Sequence, residues 1–225
     1  MHPTLAAAVA SLLAIALLPP MPRAAAVYDV RQYGARGDGT TNDTDAILAA
    51  FAACHAGGVG GDVLFGAPGI YIVSALAANC NHSRIFVEPG ATVRSVNTTV
   101  GWPLGLDSPE PSQGNTARQA APFLLLHYAL NVTLTGGGTL DARGGMFWAE
   151  HCGNWWCPRW ANATSAHPYA WRPFLLRIAD SRHVTVVNLT LIDPGFWCIV
   201  PTNSHDVTVA HTRIVAVRHA HMLRL

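Results

Sequence analysis

The chain has 225 residues, 50% of them hydrophobic and only 12% charged, which is enough for one substantial core and shows no sign of disorder. Its formal net charge of +1 gives no electrostatic case for binding nucleic acid or a membrane surface. All 14 basic residues are Arg, so a Lys Schiff base or a phosphate-loop lysine is excluded.

The N-terminal segment, residues 1–26, reads as a secretory signal peptide. Ala6 to Leu18 is an apolar run of the right length for an h-region and too short to span a bilayer. Pro19, Pro20 and Pro22 end it, and Ala24, Ala25 and Ala26 offer small residues for cleavage. The n-region is weakly charged, so an uncleaved anchor is the alternative. Export agrees with six Asn-X-Ser/Thr sequons, at Asn42, Asn81, Asn97, Asn131, Asn162 and Asn188, which are the glycosylation candidates. It also suits the five Cys. Cys54 could pair with Cys80 and Cys152 with Cys157, leaving Cys198 over; the alternative is that some are small core residues. His151, Cys152 and Cys157 could together hold a metal, but an oxidising compartment favours the disulfide, and no metal or other cofactor is expected. The mature chain is expected to be extracellular or in the cell wall, without membrane attachment after cleavage, and monomeric.

After the signal, Val27-Tyr28-Asp29-Val30 is a short alternating strand, followed by a turn-rich loop over residues 34–39. One amphipathic helix comes next. Asn42, Asp43 and Thr44 can cap it, Ile47, Leu48, Phe51 and Cys54 form its apolar stripe, and Gly57-Gly58 ends it. From there, short β-prone segments alternate with Gly, Asn, Asp and Pro. Examples are Val63-Leu64-Phe65, Tyr71-Ile72-Val73 and Ile85-Phe86-Val87.

A repeat organises these segments. His183-Val184-Thr185-Val186 leads into Asn188-Leu189-Thr190-Leu191, and Asp206-Val207-Thr208-Val209 into His211-Thr212-Arg213-Ile214, 23 positions later. Asn131-Val132-Thr133-Leu134 with Thr139-Leu140-Asp141 is a third copy, 52 positions before Val184. A period of twenty-odd residues built from short strands and tight turns means a solenoid, in which stacked coils bury the Val and Leu positions. The Leu-rich signature and helices of leucine-rich repeats are absent. Between the copies, residues 143–171 form an insertion with Trp148, Trp155, Trp156, Trp160 and Trp171, suited either to stacking on sugar rings or to folding the loop onto the wall. Arg36-Gly37-Asp38 is an integrin-type tripeptide that falls inside a turn.

These motifs resemble, in order, those of the polygalacturonases, glycoside hydrolase family 28 of the pectin-lyase-like superfamily. The matching residues are Tyr28-Asp29-Val30, Tyr33-Gly34-Ala35, Gly37-Asp38-Gly39-Thr40 and Asp43-Thr44-Asp45-Ala46-Ile47, then Pro68-Gly69 with Phe65 and Tyr71. Glu88-Pro89-Gly90-Ala91-Thr92 is similar to an "EGAT" turn, and Gly136-Gly137-Gly138-Thr139-Leu140-Asp141 to "GxGTIDG" with the closing Gly displaced. Arg172-Pro173, Asn188-Leu189-Thr190-Leu191 and Phe196-Trp197-Cys198-Ile199-Val200-Pro201, similar to "FWTIHP", complete the series. The resemblance covers the N-terminal half of such an enzyme. It implies an all-β, right-handed parallel β-helix over residues 27–225 with an N-terminal capping α-helix, C-terminally truncated. It also implies a pectin-like polysaccharide as partner and inverting hydrolysis of α-galacturonosyl bonds as the activity. Trp155, Trp156 and Trp197 are the substrate-binding candidates.

Inverting hydrolysis needs carboxylates on both sides of the scissile bond, with room for a water. The resemblance implies three Asp from "NTDG" and "DD" motifs, a "GHG" His and an "RIK" pair, beginning just beyond the coil that ends near Val217. The chain there reads Arg218-His219-Ala220-His221-Met222-Leu223-Arg224-Leu225, and no Asp or Glu follows Asp206. Val200 also stands where the motif has His. The catalytic residues are therefore unknown. Asp43 and Asp45 are expected at a helix cap, Asp180 and Asp206 in turns, and Asp193 beside Pro194. His205, His211, His219 and His221 lack a further ligand at fixed spacing and are expected on the surface. The chain alone is expected to be inactive. The alternative function is non-catalytic glycan binding or a wall-structural role. A calcium-dependent lyase on the same fold would need an acidic cluster that is not found.

Overall fold

The computed structural model describes residues 26–58, 60–103, 105, 120–150 and 172–216. Sixteen short strands lie in three sheets, and every strand pairing is parallel. The first sheet holds β1 (Val27–Asp29), β3 (Gly61–Phe65), β6 (Ser83–Val87), β9 (Leu130–Thr135), β12 (Arg182–Val187) and β15 (His205–Ala210). The second holds β2 (Asp38–Asn42), β4 (Gly69–Val73), β7 (Ala91–Ser95), β10 (Thr139–Asp141), β13 (Thr190–Ile192) and β16 (Arg213–Val215). The third holds β5 (Leu76–Ala77), β8 (Leu124–His127), β11 (Leu176–Ala179) and β14 (Ile199–Thr202). The chain visits first, second and third sheet in turn and then begins the next coil. This is the right-handed parallel β-helix, the hand that parallel crossovers take.

The repeat read from the sequence is the register of the stack. Val132, Val184 and Val207 are paired neighbours, as are Thr133, Thr185 and Thr208. Leu140, Leu191 and Ile214 form the matching column of the second sheet. Val132, Leu134, Val184, Val186, Leu140 and Leu191 are each at most 2% exposed, while the intervening Thr133 and Thr185 are half-buried. Period-two alternation thus sends every second side chain into the bore.

Sharp corners between short strands need left-handed backbone, and it recurs in columns. His82, Asn131, His183 and Asp206 each precede a paired set on the first sheet and have φ of 53–55°. Tyr128, Asp180 and Asn203 do the same where the third sheet turns back to the first, at φ 47–53°. Polar Asn, Asp and His tolerate this region better than apolar branched residues do, which explains the Asn and Asp before each strand. Gly136 is more constrained still. It has φ 127°, and a Cβ there would lie 2.1 Å from the Val87 carbonyl oxygen of the preceding coil.

The open end of the bore is closed by α1 (Thr44–Gly57). Ile47, Ala50, Phe51 and Cys54 point into the core, and Gly58 ends the helix at φ 68°. Phe51 packs on Phe65, and Phe65 meets Tyr71 edge-on at 5.6 Å between ring centroids. A Cys54–Cys80 disulfide fastens the helix to the wall. Capping differs from the expectation for Asp43. Its buried carboxylate makes no cap bond and instead accepts from the Arg36 and Gly37 amides at 2.7 and 3.1 Å. It thereby staples the Arg36-Gly37-Asp38 turn, and Asn42 accepts from the Thr44 amide in its place. Among the described residues, no helix is long and apolar enough to cross a membrane.

Gly136→Ala should destabilise the fold by more than ~2 kcal/mol, because the new methyl meets backbone that cannot rotate away. Urea denaturation of the purified chain measures this, and an unchanged midpoint would contradict the close coil-to-coil approach at Gly136.

Candidate functional site

Connection length singles out one corner of the solenoid. First-to-second-sheet turns such as residues 88–90, 136–138 and 188–189 are two or three residues long. Turns from the third sheet back to the first, such as 128–129, 180–181 and 203–204, have two. Of the second-to-third-sheet connections the first is residues 74–75, but the later ones run over residues 96–123, 142–175 and 193–198. Loops that leave a rigid scaffold at a single edge are where binding residues collect.

Aromatic side chains fill the described part of this corner. Trp102 meets Phe147 edge-on at 5.0 Å and donates its indole N–H to the Ala121 carbonyl at 2.9 Å. The short helix α2 (Gly144–Glu150) carries Trp148, and the Arg172 guanidinium lies 3.8 Å from that ring's centroid and 4.5 Å from that of Phe196. Phe174, Phe196 and Trp197 stack nearly parallel, with centroids 5.0–5.7 Å apart and planes within 16°. Phe174 is buried beneath them, while Trp197 is 48% exposed and presents an indole to solvent on a rigid base. The face of such a ring takes the apolar C–H face of a pyranose.

On the third sheet, alternation turns Leu124, Leu126, Leu176 and Ile178 into the core. Leu125, His127, Arg177, Ala179, Val200 and Thr202 then occupy the alternate positions in two aligned rows, Leu125–Arg177–Val200 and His127–Ala179–Thr202. At its edge His127 Nε2 lies 3.2 Å from Asp180 Oδ2, and Asn203 donates to Asp180 Oδ1 at 2.6 Å. The Tyr128 ring stacks on His127 at 3.9 Å. The Asn203 hydrogen bond holds the Asp180 carboxyl below the usual carboxylate range against the opposing effect of burial, with His127 and then Arg177 adding to the lowering. Arg177 is only 5% exposed, and its burial lowers the guanidinium pKa against the pull of Asp180. A cleft of about 510 Å³ opens beyond Tyr128, between α1 and this sheet edge, with Leu48, His55, Asn79 and Asn81 on its walls.

The carboxylates of the described chain are mostly engaged in holding turns. Asp38 accepts from the Thr40 and Thr41 amides, Glu88 from the Ala67 amide, and Asp193 from the Gly145 amide. Asp62 pairs with Arg84, Asp141 with Arg94 and Asp206 with His183. The two acids with a resolved shift, Asp38 and Asp180, are both lowered. A general acid for glycoside cleavage needs the opposite. No group of three or more His, Cys, Asp or Glu that could hold a metal exists among the described residues. Cys198 is free and half-buried, and burial pushes its thiol up to about 11.

Of the sequence candidates, Trp197 lies on this face. Asn42, Asn81, Asn97, Asn131 and Asn188 are all exposed. Trp155, Trp156, Trp160 and Trp171 lie outside the described residues, as do His151, Cys152, Cys157, Asn162, His219, His221 and the segment read as a signal. Sequence inspection missed Phe174, His127, Tyr128, Asn203 and Arg177. Aligning the copies at the 52- and 23-residue offsets would have placed His127, Ala179 and Thr202 in one row.

A folded-state pKa below the unfolded one adds stability above about pH 4, which is lost as pH falls through the folded value. The Tm deficit of Asp180→Asn relative to wild type should therefore be largest near pH 6 and close toward about pH 3. Thermal melts across that range test this, and a constant deficit would contradict the ionised Asp180–Asn203–His127 arrangement.

No family model matches the chain. It is 27% identical over 191 residues to a polygalacturonase of Prunus persica, covering 83% of this chain and 41% of that protein. It is 26% identical over 199 residues to a polygalacturonase of Chamaecyparis obtusa, covering 87% and 34%. The chain thus spans between a third and about two fifths of the length of these relatives. Among solved structures, a family 28 exopolygalacturonase of Yersinia enterocolitica superposes with TM-score 0.68 at 17% identity, over 85% of this chain and 39% of that one. A hyperthermoactive exopolygalacturonase of Thermotoga maritima gives 0.66 at 20%, over 87% and 48%. The chain is thus similar in sequence to polygalacturonases along about four fifths of its length and shares the parallel β-helix fold of the solved exopolygalacturonases.

Proposed function

We propose that this chain supplies the polysaccharide-binding coils of a secreted, pectin-acting glycoside hydrolase lineage whose reaction is inverting hydrolysis of α-galacturonosyl bonds. The stack of Phe174, Phe196 and exposed Trp197 at the rim of the third sheet carries this reading. Kinship with polygalacturonases supplies the substrate class. A preceding signal peptide over residues 1–26, glycans on the exposed sequons and a cell-wall setting belong to the same reading. So does a sugar-stacking role for Trp155 and Trp156.

Non-catalytic glycan binding is the second reading. It is favoured by the carboxylates, which stabilise turns and ion pairs rather than facing each other across a cleft. On both readings these 225 residues bind pectin-type chains and do not cleave them.

The test pairs two assays on the purified chain. Oligogalacturonate should bind, and polygalacturonate should yield no new reducing ends. Trp197→Ala should weaken binding roughly tenfold, about the 1.4 kcal/mol of one aromatic–sugar stack. Turnover by the chain alone would contradict the reading that it binds without cleaving. Binding untouched by the Trp197 change would remove the platform.

A further inference from the structure

We infer that Arg177 is a carboxylate receptor on the outer face of the third sheet and gives the bound polysaccharide its requirement for negative charge. The inference rests on the pectin-type reading above and adds a specificity-determining residue to it.

A guanidinium removed from water normally finds acceptors, because an unpaired buried charge is costly. Arg177 is 5% exposed, and its Nε is fully enclosed without a hydrogen-bond partner. No acid lies within ion-pair distance of it among the described residues. The one carboxylate that acts on it electrostatically is Asp180. That carboxylate is already committed, Oδ1 to Asn203 at 2.6 Å and Oδ2 to His127 at 3.2 Å. Nor do the neighbours in its row provide acceptors. Arg177 pairs with Leu125 on one side and Val200 on the other, both apolar side chains. Two residues along the same face comes Ala179, which has almost no side chain to offer. Arg172, by contrast, lies over the rings of Trp148 and Phe196.

The position of this cation matches the platform. Leu175, two residues before Arg177, donates its amide to the Trp197 carbonyl at 3.0 Å. Val200, paired with Arg177, is three residues after Trp197. The exposed Trp197 and the under-satisfied Arg177 thus belong to neighbouring coils, a few residues apart along the same pair of paired segments. A polymer of uronic acids offers both complements: a pyranose face for the indole and a planar carboxylate for the two-pronged guanidinium fork.

The test compares oligogalacturonate with its fully methyl-esterified counterpart, which has the same backbone and no charge. Calorimetry gives affinity, and a melt of each variant gives stability. Wild type should bind the acid more tightly than the ester. Arg177→Met should lose at least tenfold in affinity for the acid, leave the ester unchanged, and melt no lower than wild type, since an enclosed unpaired charge has gone. Arg177→Lys should retain part of the preference, because it keeps charge without the fork. A preference that survives Arg177→Met overturns the inference. So does a variant that melts lower and loses both ligands equally, which marks a structural residue. Wild type binding acid and ester alike overturns the inference and leaves the pectin reading standing. Wild type binding neither overturns both.

Discussion

Everything in this molecule depends on in-register stacking of like residues between coils. Val132 and Val184 on one sheet, and Leu140 and Leu191 on another, bury their side chains against aligned neighbours in the adjoining coils, whereas Val207 and Ile214 of the last described coil are half-buried and exposed. A single strand of three to six residues has no independent stability. Its backbone groups and its inner face are satisfied only by its neighbours. Slippage by one residue would turn a whole row of aliphatics outward, so the register is enforced from coil to coil. The same logic gives α1 its place at the N-terminal end, where Phe51 and Ile47 close over the core of the first described coil.

Stacking also determines where sequence is free to vary. The left-handed turn columns and the close approach of Gly136 to Val87 hold two corners of the later coils to two or three residues. The third corner carries the long connections, and with them the aromatic residues. The described aromatic residues of these connections are therefore gathered at one edge of the scaffold, beside the third sheet. At that edge ring stacking and the cation of Arg172 add to the coil-to-coil backbone bonds, such as that from the Leu175 amide to the Trp197 carbonyl.

Much of this was legible in the sequence, and the boundary is physical. The Val-Thr-Val repeat reports burial at period two directly, so the solenoid and its register could be read from spacing. The helix was equally plain, from the stripe Ile47, Phe51 and Cys54 and the stop at Gly57-Gly58. Asp43 was harder, because an acid at a helix start suggests capping, and only the fold brings the Arg36 and Gly37 amides within its reach. His127, Asp180 and Asn203 are far apart in the chain and meet only after the long insertion is looped out. Arg177 looked like any strand arginine. Its interest comes from the acceptors it lacks, and nothing local in a sequence displays those.

The central claim is that the outer face of the third sheet is the polysaccharide-binding face, with Trp197 as platform and Arg177 as the charged contact. A crystal structure of the chain soaked with a short oligogalacturonate tests it most directly. The account predicts a pyranose ring lying on the Trp197 indole and a carboxylate within hydrogen-bond distance of the Arg177 guanidinium. Sugar lodged instead in the cleft between α1 and Tyr128, with Trp197 and Arg177 untouched, would contradict it.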